Sequence, residues 1–333
     1  MGRMRFIDLF AGIGGFRRGL ELAGYQCVGF CEFDKFAVAS YTAMHLLTDS
    51  QRIKLKDLSL KDRQKEILKD EYRNGEWYAN DIRNVHASEL PGADCWCFGA
   101  PCQDFSIAGK RAGLDGDRSS LIREIFRLLE EQEEQDRPEW IIYENVKGML
   151  SSNKGLDYLS ILSEMDRLGY DIEWQNINSR WFVPQNRERI YTVGHLRRYG
   201  SAKILPIEGA NRENSASINE RKYPCFVDMN YGAGIKTTEA ARALQSRYYK
   251  GVSNHNGEVS GVAVKACNSD IIAIRKLTPK ECFRLQGWSD DYFERAAMVC
   301  SDTQLYKQAG NGVTVPVVEA IGKEIAKHER KSV

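Results

Sequence analysis

The stretch Met4-Arg5-Phe6-Ile7-Asp8-Leu9-Phe10-Ala11-Gly12-Ile13-Gly14-Gly15 decides the fold. Its apolar first half predicts a strand, its glycines a turn, and Phe16 to Ala23 continues at helical spacing. Cys27-Val28-Gly29-Phe30-Cys31 gives a second strand that stops at Glu32. Strand, glycine turn, helix, strand and acid form the opening half of a doubly wound α/β unit. Further strands are predicted at Cys95–Phe98, Trp140–Tyr143 and Ile190–Val193, with helices over Ser120–Glu134 and Leu156–Leu168 between them. This alternation predicts a mostly parallel sheet covered on both faces. The charged stretch from His45 to Tyr78 is expected to be a solvated helical insertion without chemistry. Past Gly200 the alternation is lost. Residues 200–272 are rich in Gly, Asn, Ser and Tyr, with short β-like pieces at Gly261–Val264 and Ile271–Ile274, and predict a second, smaller, irregular β-rich domain. Helical spacing returns at Thr278–Gln286 and Val315–His328.

Composition narrows the class. The chain has 333 residues, 42% of them hydrophobic and 28% charged, which is a globular composition of one large or two unequal domains. No run approaches the roughly 18 consecutive apolar residues that span a bilayer. Asp8 and the glycines break any secretory signal, and Phe6 stands where a myristoylation site wants Ser or Thr, so a cytosolic protein is expected. The 9 cysteines are an odd count without a CxxC pair, and the 5 histidines are scattered, so neither a full disulfide framework nor a zinc site is expected. Charge is balanced overall at 47 basic against 46 acidic residues, but residues 197–276 hold 13 Lys and Arg against 7 Asp and Glu. That segment suits a polyanion.

Four constellations carry chemistry. Gly12 and Gly14 let the backbone approach a ligand beside a helix N-terminus. Gly15 follows at once and Arg17 fills the third position, so GxGxxG is imperfect and favours another nucleoside cofactor over a dinucleotide. Glu32 is placed to accept bonds from ribose hydroxyls, or else is a solvated strand-end acid. Asp81-Ile82 could bind an adenine amino group; read alone, Asp81 is a turn residue. In Gly99-Ala100-Pro101-Cys102-Gln103 the turn presents a thiol at the carboxyl edge of the sheet, which favours a nucleophile over a buried structural cysteine. The loop from Ser106 to Asp117 could close over it as a lid. Glu144 ends another strand, where it can face Cys102 and give a proton near neutrality, or be a surface acid. Arg187 and Arg189, at alternating positions, could clamp a carbonyl-bearing substrate; alone they are ordinary surface arginines.

In chain order, FAGIGG within Phe6–Glu21, Glu32-Phe33-Asp34, Asp81-Ile82, Ala100-Pro101-Cys102-Gln103, Glu144-Asn145-Val146, QNRER at Gln185–Arg189, Arg275–Pro279 with Glu281-Cys282, and Gln308–Val313 spell one pattern. The chain resembles the DNA cytosine-5 methyltransferases of bacterial or phage type over nearly all its length. The resemblance implies a doubly wound, Rossmann-like, S-adenosyl-L-methionine-dependent domain over residues 1–196, completed by 300–333. It implies a target-recognition domain over 197–274 and a hinge over 275–299. It implies methyl transfer to C5 of cytosine in a specific double-stranded DNA sequence, through a flipped base and a covalent bond from Cys102 to C6. Catalytic roles then fall to Cys102, Glu144, Arg187 and Arg189, with Glu144 on N3 and Arg189 on O2. The cofactor set is Phe10, Gly12, Gly14, Gly15, Glu32, Phe33, Asp81, Ile82, Pro101, Leu121, Asn311 and Val313. DNA contacts are expected from Gln103, Ser106, Lys110 and Arg111 on one side and Arg242, Gln245, Arg247, Tyr248 and Lys250 on the other, since Arg and Gln read purine edges. Tyr248-Tyr249 could equally be a core pair.

A monomer in the bacterial cytosol is expected, nucleoid-associated through DNA, without metal or membrane, with any cognate restriction endonuclease acting separately. Its role is that of a restriction-modification enzyme or of an orphan or phage methyltransferase. The tRNA-methylating branch, a non-catalytic DNA-binding relative and a nicotinamide oxidoreductase are the rival readings. The first lacks its Cys-Phe-Thr signature here, because Cys282-Phe283-Arg284 lies in the hinge block.

Overall fold

The computed structural model describes residues 3–100, 121–208, 226–230, 234–250, 260–265 and 271–328. The expectations resting on Pro101, Cys102, Gln103, Ser106, Lys110 and Arg111 lie outside the described residues. The large sheet has seven strands: β1 (Arg5–Leu9), β2 (Gln26–Cys31), β3 (Trp77–Ala79), β4 (Cys95–Phe98), β5 (Trp140–Val146), β6 (Tyr170–Asn178) and β8 (Glu188–Leu196), with the short β7 (Gln185–Asn186) between the last two. Their spatial order is β3-β2-β1-β4-β5-β8-β6. The chain winds outward from β1 to β3, then returns to β4 on the other side, so the carboxyl ends of β1 and β4 flank the topological switch point where ligands of open α/β sheets sit.

Alternation along each strand sends side chains to opposite faces. Ile7, Leu9, Trp96, Phe98, Ile141 and Tyr143 pack against helices α5 (Leu121–Glu131) and α6 (Leu156–Arg167). Phe6, Cys95, Cys97, Trp140 and Ile142 pack against α1 (Gly15–Leu22) and the last helix, α10 (Val315–Ala326). The doubly wound fold expected from the opening stretch is present. One element departs from expectation: β8 runs antiparallel to both neighbours. Strand β6, which carries no continuous apolar run, forms the sheet edge and was not foreseen.

Ahead of the charged insertion, α2 (Lys35–Tyr41) continues into a π-turn over Thr42–Leu46, and the insertion itself is helical as expected, with α3 (Asp49–Lys56) and α4 (Leu60–Glu66). It is not wholly solvated. Leu55, Ile67 and Tyr72 are buried in a cluster shared with α7 (Pro279–Leu285), α8 (Asp290–Ala297) and α9 (Asp302–Asn311). A second, antiparallel sheet, ordered β10-β9-β12-β13, is built from β9 (Phe226–Asn230), β10 (Gly234–Thr238), β12 (Ser260–Lys265) and β13 (Ile271–Arg275). It joins the main body through β11 (Ala241–Arg242), which pairs in parallel with β7. Residues 197–208, expected in the second domain, stay with the large sheet. Ile204, Leu205 and Ile207 are buried on its α1/α10 face, and their amides donate to Glu173 and Gln175 of β6.

Candidate active site

At the carboxyl end of β1 the chain turns sharply. Phe10 has φ 56° and Gly12 φ 56°, and a side chain on Gly12 would meet nothing within 4 Å, so this glycine borders open space. The other two glycines answer to packing. A Cβ on Gly14 would lie 2.4 Å from Nε2 of His45, and one on Gly15 2.6 Å from Val313. Gly15 and Val313 also fit each other and bring the start of α10 onto α1. The Glu32 carboxylate closes the turn, accepting the Gly12 N–H at 2.8 Å and the Asp34 N–H at 2.7 Å. Burial raises its pKa against those two amide bonds. Each carboxylate oxygen keeps a further lone pair for a ligand hydroxyl. Beside it Phe33 is 72% exposed, a large aromatic ring with no partner among the core clusters.

Asp81 caps a 3-10 turn and holds the Arg83 guanidinium through both oxygens, at 2.9 and 2.6 Å, which lowers its pKa. It lines a cavity of about 200 Å³ with Trp77, Asn80 and Asn84 at the end of β3. The Ile82 side chain is buried in the core, so only its main chain can face a ligand. Leu121 opens α5, half-buried, and Asn311 is exposed at the end of α9.

Glu144 lies inside β5 rather than beyond it, and its Oε1 stands 3.1 Å from Nε of Arg189. The reversal of β8 makes this meeting possible. Arginines that precede a parallel strand would sit at the opposite edge of the sheet. Run antiparallel, β8 pairs Tyr191 with Glu144 and Arg189 with Val146, which sets Arg189 diagonal to Glu144 on one face. The pair is an ion pair not aligned as a hydrogen bond, and among the described residues Oε1 has no hydrogen-bond partner. Oε2 lies 3.3 Å from the position of a side chain on Gly99, at the end of β4. A carboxylate at a sheet's ligand edge held by one ion pair keeps acceptor capacity for a substrate donor.

The structure bears on two further expectations. Arg187 is not a surface arginine; it is buried, and its guanidinium donates to the main-chain carbonyls of Leu244 at 3.1 Å, Gly310 at 3.2 Å and Gly312 at 3.0 Å. Three of its N–H groups are thus held by main chain, while Nε is buried without a hydrogen-bond partner among the described residues. Tyr248 is a core residue, its hydroxyl donating to the Ser260 carbonyl and accepting the Leu277 N–H, while Tyr249 is exposed. The other expected readers of DNA lie nearer solvent. Arg242 and Gln245 are half-buried, and Arg247 and Lys250 exposed. Sequence reasoning missed His45, whose Nε2 bonds the Ile13 carbonyl at 3.0 Å, and the buried Gln185 and Gln286. No local pattern marks a histidine on a π-turn, although the block QNRER already contained Gln185.

Likeness to known proteins agrees with this geometry. A family model described as C-5 cytosine-specific DNA methylase matches residues 4–72, 61–221 and 203–327. The chain belongs to the C-5 cytosine-specific DNA methylase family. This methylase is 30% identical to the type II methyltransferase M2.ScrFI of Lactococcus lactis subsp. cremoris, over 98% of the chain and 100% of the relative. It is 31% identical to the type II methyltransferase M.NlaX of Neisseria lactamica, over 96% of each. Its fold is that of the Dnmt2 methyltransferase of S. pombe, with a TM-score of 0.69 at 17% identity over 98% of this chain and 100% of that one. The activity of this methylase is transfer of a methyl group to C5 of cytosine in DNA, and the family depends on S-adenosyl-L-methionine. Among the described residues no helix is long and apolar enough to cross a membrane, and no cluster of three candidate ligands could hold a metal ion.

Proposed function

We propose that this methylase extrudes its target cytosine from duplex DNA and activates it by covalent addition of the Cys102 thiolate to C6. The observation that carries the reading is the Glu144–Arg189 pair, whose Oε1 faces Arg189 and whose Oε2 lies beside Gly99, three residues before Cys102. Cytosine C5 is a weak nucleophile. Addition of sulfur at C6 moves the ring electrons toward C5, while Glu144 holds N3 and takes up the charge developing there. Arg189 holds O2 and keeps Glu144 in place. Once C5 has taken the methyl group, water takes the C5 proton, the ring electrons expel the thiolate, and the double bond returns. A free thiol has a pKa near ~8.5, so cationic neighbours favour the reactive form.

The turn after β1 fits a nucleoside cofactor, with Gly12 facing open space, Glu32 ready for ribose hydroxyls and Phe33 exposed beside it. S-adenosyl-L-methionine held there, with Phe10 and Phe33 at the adenine, Asp81 at its amino group and Asn311 closing the pocket, supplies the methyl group. Nothing in this chemistry works on a stacked base, and extrusion costs a few kcal/mol that protein contacts must offset. Arg242, Gln245, Arg247 and Lys250 lie on the segment that presents Arg and Gln to the DNA, and the type II relatives support a modification role beside a restriction endonuclease.

Duplexes containing 5-fluoro-2′-deoxycytidine test the covalent step, because fluorine at C5 cannot leave as a proton does. A protein–DNA adduct that survives denaturing electrophoresis, and that Cys102→Ala abolishes, is expected. Its absence with the wild-type chain overturns the mechanism.

A further inference from the structure

The buried polar side chains that the methyl-transfer chemistry leaves unused converge on one place. Arg187 donates to the carbonyls of Gly310 and Gly312 on one side and of Leu244 on the other. Gln185 accepts the Leu244 N–H at 2.9 Å and donates to the Leu285 carbonyl at 2.8 Å. Gln286 donates to the Ala309 carbonyl at 2.6 Å and accepts from the Thr314 hydroxyl at 3.0 Å. The Ala241 N–H donates to Pro184 where β11 pairs with β7. Four segments far apart in the chain thus meet through three buried side chains: β7, the segment after β11, the end of α7 and the turn after α9.

The contact between two of these segments is a close one. A Cβ on Gly310 would fall 2.3 Å from the carbonyl carbon of Gln245 and 2.4 Å from the Ser246 nitrogen. Main chain lies directly on main chain, with no flexible side chain between to give way. Gln245 and Arg247 follow immediately, bonded to each other at 3.0 Å. On the far side of the same turn stands Asn311. Arg187 itself is two residues from Arg189, which carries Glu144.

We propose that Arg187 is a positioning residue that fixes the segment 244–247 at a set height above the Glu144–Arg189 pair, so that discrimination between DNA sequences depends on it. The proposal rests on the reading that this segment contacts base edges. A guanidinium suits the task because its planar fork serves three carbonyls at once, which an ammonium on a flexible stem does not. Since the seat is the turn that bears Asn311, ligation on either side of that turn biases the other by the same factor.

The test compares Arg187→Lys, Gly310→Ala and Arg247→Ala with the wild-type full chain. The cognate duplex is first identified by bisulfite sequencing of DNA from cells expressing the protein. Measured are kcat and KM on that duplex and on single-base variants of it, with the Kd for S-adenosyl-homocysteine with and without the cognate duplex. For Arg187→Lys and Gly310→Ala we expect the ratio of kcat/KM between cognate and variant duplexes to fall at least tenfold. The loss should be mainly in KM, and the Kd without DNA should change less than threefold. Thermal unfolding at lower temperature with the ratio intact would show a merely structural role and overturn the proposal. If Arg187→Lys does not fold, Gly310→Ala, which keeps every buried donor, decides alone. If Arg247→Ala and a matching Gln245→Ala leave the ratio unchanged, it is the reading of the segment as a base contact that fails.

Discussion

Glu144 is ion-paired with Arg189 at the sheet edge, and replacing the carboxylate by an amide of the same shape isolates its charge. General acid–base partners contribute roughly 10²- to 10⁴-fold. Glu144→Gln should therefore slow single-turnover methylation by about that factor while S-adenosyl-homocysteine binding persists, and a loss under tenfold would contradict its role on N3. Asp8 makes a second case, of opposite kind. It is buried behind the glycine turn, accepting the Arg17 N–H at 3.2 Å, and burial raises its pKa well above the ordinary value. A carboxyl whose folded pKa is raised favours the fold while protonated. That contribution is complete below the unfolded pKa of about 3.9 and is lost as pH rises through the folded value. Asp8→Asn should remove the loss, so its Tm should gain on the wild type as pH goes from 5 to 8; parallel Tm curves would refute this. Glu144 and Glu32 could be found in the sequence because each follows an apolar run that ends at the sheet edge. Arg187 was found with them, but its buried bonds were not, since their acceptors lie 57 to 125 positions away.

The strands of the large sheet legible in advance are β1, β2, β4, β5 and the apolar middle of β8, because a strand buried on both faces has no polar alternation to confuse it; the short pieces at β12 and β13 were legible too. Strand β6, Tyr-Asp-Ile-Glu-Trp-Gln-Asn-Ile-Asn, mixes polar side chains into an edge position and gives no such run. The direction of β8 was equally hidden, for pairing sense depends on how the chain returns, not on the composition of the strand. Helix packing yields a further prediction. A Cβ on Gly19 of α1 would come 2.5 Å from Cβ of Val318 on α10. Helix propensity alone would have Gly19→Ala stabilise by about 0.8–1 kcal/mol. Overpacking a filled contact costs about 1–3 kcal/mol. Packing should win, giving net destabilisation in urea unfolding; a more stable variant would mean that α10 shifts freely on α1.

Seen as one molecule, the methylase seats its second sheet by buried hydrogen bonds at β7 and β11 and by an apolar cluster that joins Phe226, Leu244 and Val262 to Phe283, Leu285 and Val315. Composition gave its globular class and the eight ordered blocks its chemistry, whereas the seating of the second sheet depended on contacts no local pattern encodes. The packing of α10 on α1 has a temporal side as well. Val313 meets Gly15, Val318 meets Gly19, and the Tyr25 hydroxyl donates to the Gly322 carbonyl, so the helix that starts the fold waits for one made almost three hundred residues later. A ribosome partway through the message carries a polypeptide without a finished pocket.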